Sequence, residues 1–268
     1  MNNSRIVCVI QARTGSTRLT NKILLPLAGK PLLIRMAERV MQSSLLDETI
    51  VATTTDPMDD IVADLCKENN LKCYRGSIDD LLERHYNAAL ECKADIMVKI
   101  PSDCPLIDPA IIDKVIQYYK NNFEKYDFVS NLHPATYPDG NDVEVVPMKV
   151  LKEALDNAVL PMEREHTTPY IWERPEKYRS GNVEWETGLD YSMSHRWTID
   201  YQQDYDFIKK IYDSLYIEKP NFGINDILEL LNKDPSIQKI NSEFAGVNWY
   251  RDHLNELKTV SKEQTKII

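Results

Sequence analysis

The chain has 268 residues, 43% hydrophobic and 28% charged, with a formal net charge of −10. This composition supports a buried core and argues against a general nucleic-acid binder, which needs a basic surface. No apolar run approaches the roughly 20 residues that span a bilayer, and the first apolar stretch is too short for a secretory signal. The five cysteines, Cys8, Cys66, Cys73, Cys92 and Cys104, include no C-x-x-C pair. They fit a reducing compartment, so the expected location is the cytoplasm.

The length predicts one large unit over 1–268. Ile6 to Ile10 is wholly apolar and reads as a strand buried on both faces, followed by a polar loop from Gln11 to Lys22. Pro31 suits the start of a helix. Glu48 to Thr53 reads as a second strand, and Asp56-Pro57 as a helix cap with Asp59 and Asp60 in an acidic first turn. A short strand at Leu71–Tyr74, a helix over Asp79–Cys92 and a buried strand at Ile96–Ile100 follow.

Pro109 opens an amphipathic helix, and Asp127–Ser130 and Val143–Val146 read as strands. The stretch 137–195 is irregular and is expected to be an elaboration for substrate binding and dimerisation. Order returns with a strand at Arg196–Ile199 and a helix at Gln202–Leu215. Helical stretches follow near Ile224–Asn232 and Trp249–Lys258, and 259–268 is expected to be a flexible tail. Strands alternating with helices predict a doubly wound α/β fold with a mainly parallel sheet.

Charge is unevenly spread. The first acidic residue is Glu38, and the 37 residues before it carry +6 in a chain of −10. The loop Gln11-Ala12-Arg13-Thr14-Gly15-Ser16-Thr17-Arg18 to Lys22 leaves the carboxyl end of the first strand, where open α/β sheets bind ligands. Gly15 admits a ligand close to the backbone, successive N–H groups can form an anion nest, and Arg13, Arg18 and Lys22 supply cations. These are the ingredients of a triphosphate site. The loop lacks both the Walker A and the G-x-G-x-x-G patterns. A merely solvated loop is the alternative.

The run VIQARTGSTRLTNKILLPLAGKPLL resembles the opening of the cytidylyltransferases that include CMP-sialic acid and CMP-KDO synthetases. It is most similar to the spore coat polysaccharide biosynthesis protein F group. Thr20 stands where that family usually has proline. The similarity resumes at intervals to about residue 215. It implies a Rossmann-like nucleotidyltransferase fold of the glycosyltransferase-A type, CTP as the nucleotide and a homodimer.

Two acidic positions end predicted buried strands. Asp103, after Ser102 in KIPSDCPLID, suits Mg²⁺, which takes one or two protein carboxylates plus phosphate oxygens and water. It can equally cap the turn before Pro105. Asp200 ends Arg196-Trp-Thr-Ile-Asp200, which resembles the family's R-x-T-x-D, whose aspartate is the second metal carboxylate. Asp204 reads as the first-turn charge of the next helix. In GSIDDLLER, Ser77 or Asp79 can cap a helix, and the resemblance places this region, with Asp80 and Arg84, near the base and ribose.

On the acceptor side, Tyr137-Pro138-Asp139-Gly140 is a turn, and Asp142 and Glu144 are expected on one face of a strand. They bind substrate hydroxyls or an amine, or simply pair with Arg164. Glu163-Arg164-Glu165-His166 offers His166 as a general base or a substrate contact, or as part of a structural network. Arg196 is a further candidate substrate contact.

The resulting expectation is CMP transfer from CTP to a small sugar-like or acidic acceptor. Arg13, Lys22, Asp103 and Asp200 are the catalytic set and Mg²⁺ is the cofactor. A glycosyltransferase consuming a nucleotide sugar, or a non-catalytic nucleotide sensor, are the alternatives.

Overall fold

The computed structural model describes residues 4–268. A seven-stranded sheet organises the chain, in the order β5-β4-β1-β6-β8-β7-β9. Its first half interleaves β1 (Ile6–Gln11), β4 (Glu48–Thr54), β5 (Lys72–Gly76) and β6 (Ile96–Pro101), all mutually parallel, with α1 (Leu32–Val40), α2 (Asp60–Glu68) and α3 (Leu81–Glu91). A small hairpin of β2 (Pro26–Leu27) and β3 (Lys30–Pro31) precedes α1. After α4 (Pro109–Asn122) come β7 (Phe128–Ser130) and β8 (Glu144–Pro147), then α5 (Met148–Asn157), α6 (Pro161–His166), α7 (Pro169–Trp172) and β9 (Ser180–Asn182). The chain closes with α8 (Gln202–Leu215), α9 (Ile224–Lys233) and α10 (Pro235–Gln238). β8 runs antiparallel to both β6 and β7, so the sheet is mainly parallel with one reversed strand.

The central strand β1 buries both faces, as its unbroken apolar run predicts. Cys8 and Ile10 point into one core layer, Val7 and Val9 into the other. No helix among the described residues is long and apolar enough to cross a membrane.

Several sequence expectations need correction. The stretch 137–195 takes part in the sheet, threading β8 between β6 and β7 and adding β9 at the edge. Arg196–Ile199 is extended but forms no strand. Trp197 N–H donates to Asp139 O (2.7 Å), Asp139 N–H donates to His195 O (2.9 Å) and Ile199 N–H donates to Asp103 O (3.0 Å), so an isolated bridge to one loop and a bond to another replace a ladder. Trp249–Lys258 holds only a short 3₁₀ turn at Trp249–Asp252. The last ten residues are fastened rather than frayed. Thr259 N–H and hydroxyl both donate to the Glu173 carboxylate, Thr265 is buried, and Lys266 N–H donates to Gly246 O.

What holds the return segment is Arg196. Its side chain is 1% exposed and faces three carboxylates: Asp204 (2.9 Å), Asp200 (3.1 Å) and Asp139 (3.4 Å). Asp204 in turn caps α8, accepting from the N–H groups of Asp200 and Tyr201. Burial acts to lower the guanidinium pKa, but the three carboxylates outweigh it and raise it above its ordinary value. Gly140 completes this corner with φ 104°, and a Cβ there would lie 2.7–2.8 Å from the Trp197–Thr198 backbone. Replacing Arg196 with Met would leave buried carboxylates unpaired and should cost about 3–5 kcal/mol of stability. Urea unfolding at pH 7 measures it, and a loss below about 1 kcal/mol would show that the other cations suffice.

Candidate active site

The carboxyl ends of β1, β4 and β6 deliver three loops to one place. The basic loop leaves β1 after Gln11, and Ala12 N–H extends the ladder to Ala52 O (3.0 Å). Its anchor is Asp59, whose carboxylate accepts from Thr14 N–H and hydroxyl (2.7 Å each) and from the Thr54 hydroxyl (2.5 Å). Burial would raise the Asp59 pKa, yet these bonds hold it below the ordinary carboxylate value. Asp59 is therefore a buried brace for the loop, not just a charge in an acidic helix turn.

With Thr14 fixed, Arg13 and Arg18 stand exposed. Arg13 makes no hydrogen bond or ion pair among the described residues. A Cβ on Gly15 would meet nothing within 4 Å, so the space beside its backbone is open. Ser16 N–H is taken by Thr14 O (2.8 Å), so not every N–H of the expected nest is free. Behind Arg13 lies Arg84, 3% exposed, whose Nη1 donates to Ser77 O (2.7 Å) and whose Nε has no partner. Burial and then Arg13 pull its pKa down to about 10. Asp59 and Asp80 act the other way on Arg84, but neither forms an ion pair with it among the described residues. Gln11 Oε1, buried at the end of β1, also lacks a partner.

Opposite this cationic wall is the carboxylate pair. Lys22 Nζ lies 3.0 Å from Asp200 Oδ1 and 3.7 Å from Asp103 Oδ2, and also donates to Ile199 O (2.7 Å). Arg18 reaches the same Asp200 oxygen at 3.0 Å. Asp103 is held by its backbone: its carbonyl accepts from Ile199 N–H and the Thr198 hydroxyl (3.0 Å each). Ser102, beside it, is buried. Burial opposes charge on both Lys22 and Asp200, but the ion pairs win, raising the lysine and lowering the aspartate. The Lys22 ammonium thus stands where a cation is shared by two carboxylates.

Asp139 and Asp142 extend this acidic wall. Burial lifts Asp142 to about 7, with Asp103 adding repulsion. Asp139 is raised as well, by burial and by its acidic neighbours, against the pull of Arg196. The next member is Glu144, buried and paired with Lys99 (2.7 Å), its direct cross-strand neighbour between β8 and β6. Glu144 Oε2 has no partner. Lys99, not Arg164, is the counterion of Glu144, and Asp142 lies ahead of β8 rather than sharing a strand face with Glu144. Tyr250, Trp249 and His253 arrive from the C-terminal segment, with Trp249 stacked on His166 (3.8 Å, 15°).

Several of the expected site residues also make contacts within the fold. Asp80, rather than Ser77 or Asp79, caps α3 by accepting from Glu83 N–H (2.9 Å). It also pairs with Arg164 (3.0 Å), whose other donors bind Leu155 O and Ala158 O. Tyr137 is buried against Trp185 with its hydroxyl on Glu186, and Arg196 is spent on carboxylates. Burial, Lys99 and His253 hold His166 at about 3, too low for a general base near neutral pH. Glu165 is exposed. The sequence reading missed Asp59, Lys99, Asp139 and the aromatic C-terminal segment. A lysine inside the apolar run Ile96–Ile100 was the available signal for Lys99.

Residues 7–229 match the cytidylyltransferase family model. An uncharacterised protein of Methanocaldococcus jannaschii is 38% identical over 89% of this chain and 95% of its own length. The spore coat polysaccharide biosynthesis protein SpsF of Bacillus subtilis is 31% identical over 86% of this chain and 95% of its own. A solved cytidylyltransferase structure from Leptospira borgpetersenii is 34% identical, with a TM-score of 0.82, covering 88% of this chain and 97% of that one. The chain belongs to the cytidylyltransferase family.

Proposed function

We propose that this enzyme transfers CMP from CTP to a small sugar-like or acidic acceptor, releasing pyrophosphate, in surface polysaccharide or glycoconjugate biosynthesis. The observation that carries the reading is the Lys22 ammonium held between Asp103 and Asp200, facing a basic loop whose Arg13 is free of partners among the described residues. The family and the SpsF likeness support the nucleotide and the pathway class.

The donor set fits Mg²⁺: two carboxylates at one point, already gathering a cation, with the Asp103 side chain partly open to solvent (32% exposed). Asp103 and Asp200 would hold the ion, which supplies charge stabilisation on the triphosphate. The chain's own residues do the rest. Arg13, Arg18 and Lys22 bind the triphosphate and stabilise charge on the departing pyrophosphate. Thr14, Gly15 and Ser16 shape the loop around it. Gln11, with its unpartnered oxygen, and Arg84 face the nucleoside end. An acceptor oxygen attacks the α-phosphorus in line as the bond to the β-phosphate oxygen breaks. Asp142, Glu144 and Lys99 line the acceptor side. A homodimer belongs to the same reading: Val159 (82% exposed) and Leu160 (41%) present apolar surface ahead of α6.

Pyrophosphate release with each of the four nucleoside triphosphates and a panel of sugar acids, sugar phosphates and phosphonates tests the reaction. Release that requires CTP plus one acceptor is the expected result, and consumption of a nucleotide sugar instead would replace it with glycosyl transfer. Arg13→Ala should lower turnover about 10²–10³-fold, as removal of a single transition-state donor does. A fall of only a fewfold would remove Arg13 from that role. Because its neighbours raise the Lys22 pKa above the ordinary 10.5, Lys22 stays charged until the pH passes that value. The pH–rate profile should therefore show no falling limb from Lys22 below pH 10, and none should appear there in Arg18→Ala, which removes a cation that lowers the Lys22 pKa.

A further inference from the structure

Away from the triphosphate loop, Glu165, His166 and His253 each offer one ligand atom, and these atoms lie within 4.8 Å of one another. The Glu165 carboxylate and the His166 ring make no hydrogen bond or ion pair among the described residues. His253 is oriented: its Nδ1 is 2.8 Å from Glu256 Oε1, which leaves Nε2 with the free lone pair. A metal-binding histidine usually gives its other nitrogen to a carboxylate in this way. Trp249, stacked on His166 at 3.8 Å and 15°, fixes the plane of that ring.

The backbone is also shaped around this point. Adjacent helix positions diverge, so Glu165 and His166 can share an ion only where the helix stops. α6 ends at His166, and Thr167 follows with φ 74° and ψ −53° while Thr168 N–H donates to His166 O (2.9 Å). That is the rare γ-turn, and here it is centred on a β-branched residue, a strained conformation. Such strain persists where the surroundings enforce it, and here it turns the chain away directly after the two side chains.

The segment carrying His253 lies beyond the family match, which ends at residue 229. It is tied at one end by Arg196 to Val247 O and at the other by Glu173 to the N–H groups of Lys258 and Thr259. Between these ties it has no strand or α-helix, only a 3₁₀ turn.

We propose that Glu165, His166 and His253 bind a Zn²⁺-class divalent ion that clamps the C-terminal segment to α6. Two imidazoles and a carboxylate suit Zn²⁺, with water as fourth ligand, and do not suit Mg²⁺. The site is thus chemically separate from the Asp103–Asp200 pair. Zinc–ligand bonds of about 2 Å require the three atoms to close by roughly 1 Å, which the exposed Glu165 side chain can supply.

The test is calorimetric titration of the metal-stripped full chain with Zn²⁺ in excess Mg²⁺, together with Co²⁺ absorption spectra. The expected result is one equivalent bound, with d–d bands of a low-coordinate site. His253→Ala should abolish binding, and Glu256→Gln should weaken it about 10–100-fold. Circular dichroism and Asp103→Asn serve as controls: the first confirms folding of each variant, and the second should leave Zn²⁺ stoichiometry unchanged. Absence of binding, or binding that survives His253→Ala or disappears with Asp103→Asn, would overturn the site. Trypsin cleavage after Arg251 and Lys258 should slow with Zn²⁺ in the wild type alone, and equal rates with and without the ion would overturn the clamp.

Discussion

Two carboxylates held close to one ammonium set the terms for this molecule. Asp103 and Asp200 lie 3.7 and 3.0 Å from Lys22, in a mostly enclosed position where charge is costly unless paired. Neither carboxylate is free to move away. Asp103 is fixed by two bonds to its own carbonyl, and Asp200 by Arg196 and by the cap that Asp204 places on α8. The acids are held in position by backbone while the cations opposite them, Arg18 and Arg13, are on exposed, extensible side chains. On the proposed reading, an external ion takes the place of the internal cations at the two acids, and the exposed arginines receive the phosphate chain.

The architecture explains how distant parts of the chain reach that point. Parallel strands bring their carboxyl ends to one edge, so the loops after β1, β4 and β6 meet without further instruction. The fourth contributor, 195–204, is not a strand, and it must be stitched in. It is bonded twice to Asp139 and twice to Asp103, with Arg196 beneath it pairing with three acids. Asp59 does the equivalent work for the basic loop, taking up donors of Thr14 and Thr54 so that the adjacent Arg13 is presented outward. Exposed groups on loops are positioned here by buried polar residues, Asp59 and Arg196.

The parts legible in the sequence were those with local signatures. The apolar runs of β1, β4 and β6, the proline that opens α4 and the cation-rich loop all follow from neighbouring residues. So did Asp103 and Asp200 as strand-end acids, although Asp200 ends an extended segment and not a strand. What was hidden depends on register. Glu144 needed a counterion, and the sequence offered Arg164 nearby. Only the antiparallel pairing of β8 with β6 sets Lys99 directly opposite. Likewise Asp59 looks like any acid in a first helical turn, since its partner Thr14 is 45 residues away. The insertion of β8 into the middle of the sheet has no local signal at all.

The acceptor side carries the remaining consequence. On the proposed reading it is lined by Asp142 and Glu144 with Lys99 as their nearby cation, while Asp139 is taken up by Arg196, and one Glu144 oxygen has no hydrogen-bond donor. A buried acceptor atom without a partner costs about 1–3 kcal/mol, which a ligand donor can recover. An acceptor presenting hydroxyl or amine donors at that oxygen would recover it, whereas one presenting a carboxylate would add a repulsion. Lys99 cannot offset this freely, since its ammonium already bonds the other Glu144 oxygen at 2.7 Å. The balance of charge therefore favours an acceptor whose negative group, if it has one, points toward the basic loop and whose hydrogen-bond donors point toward β8.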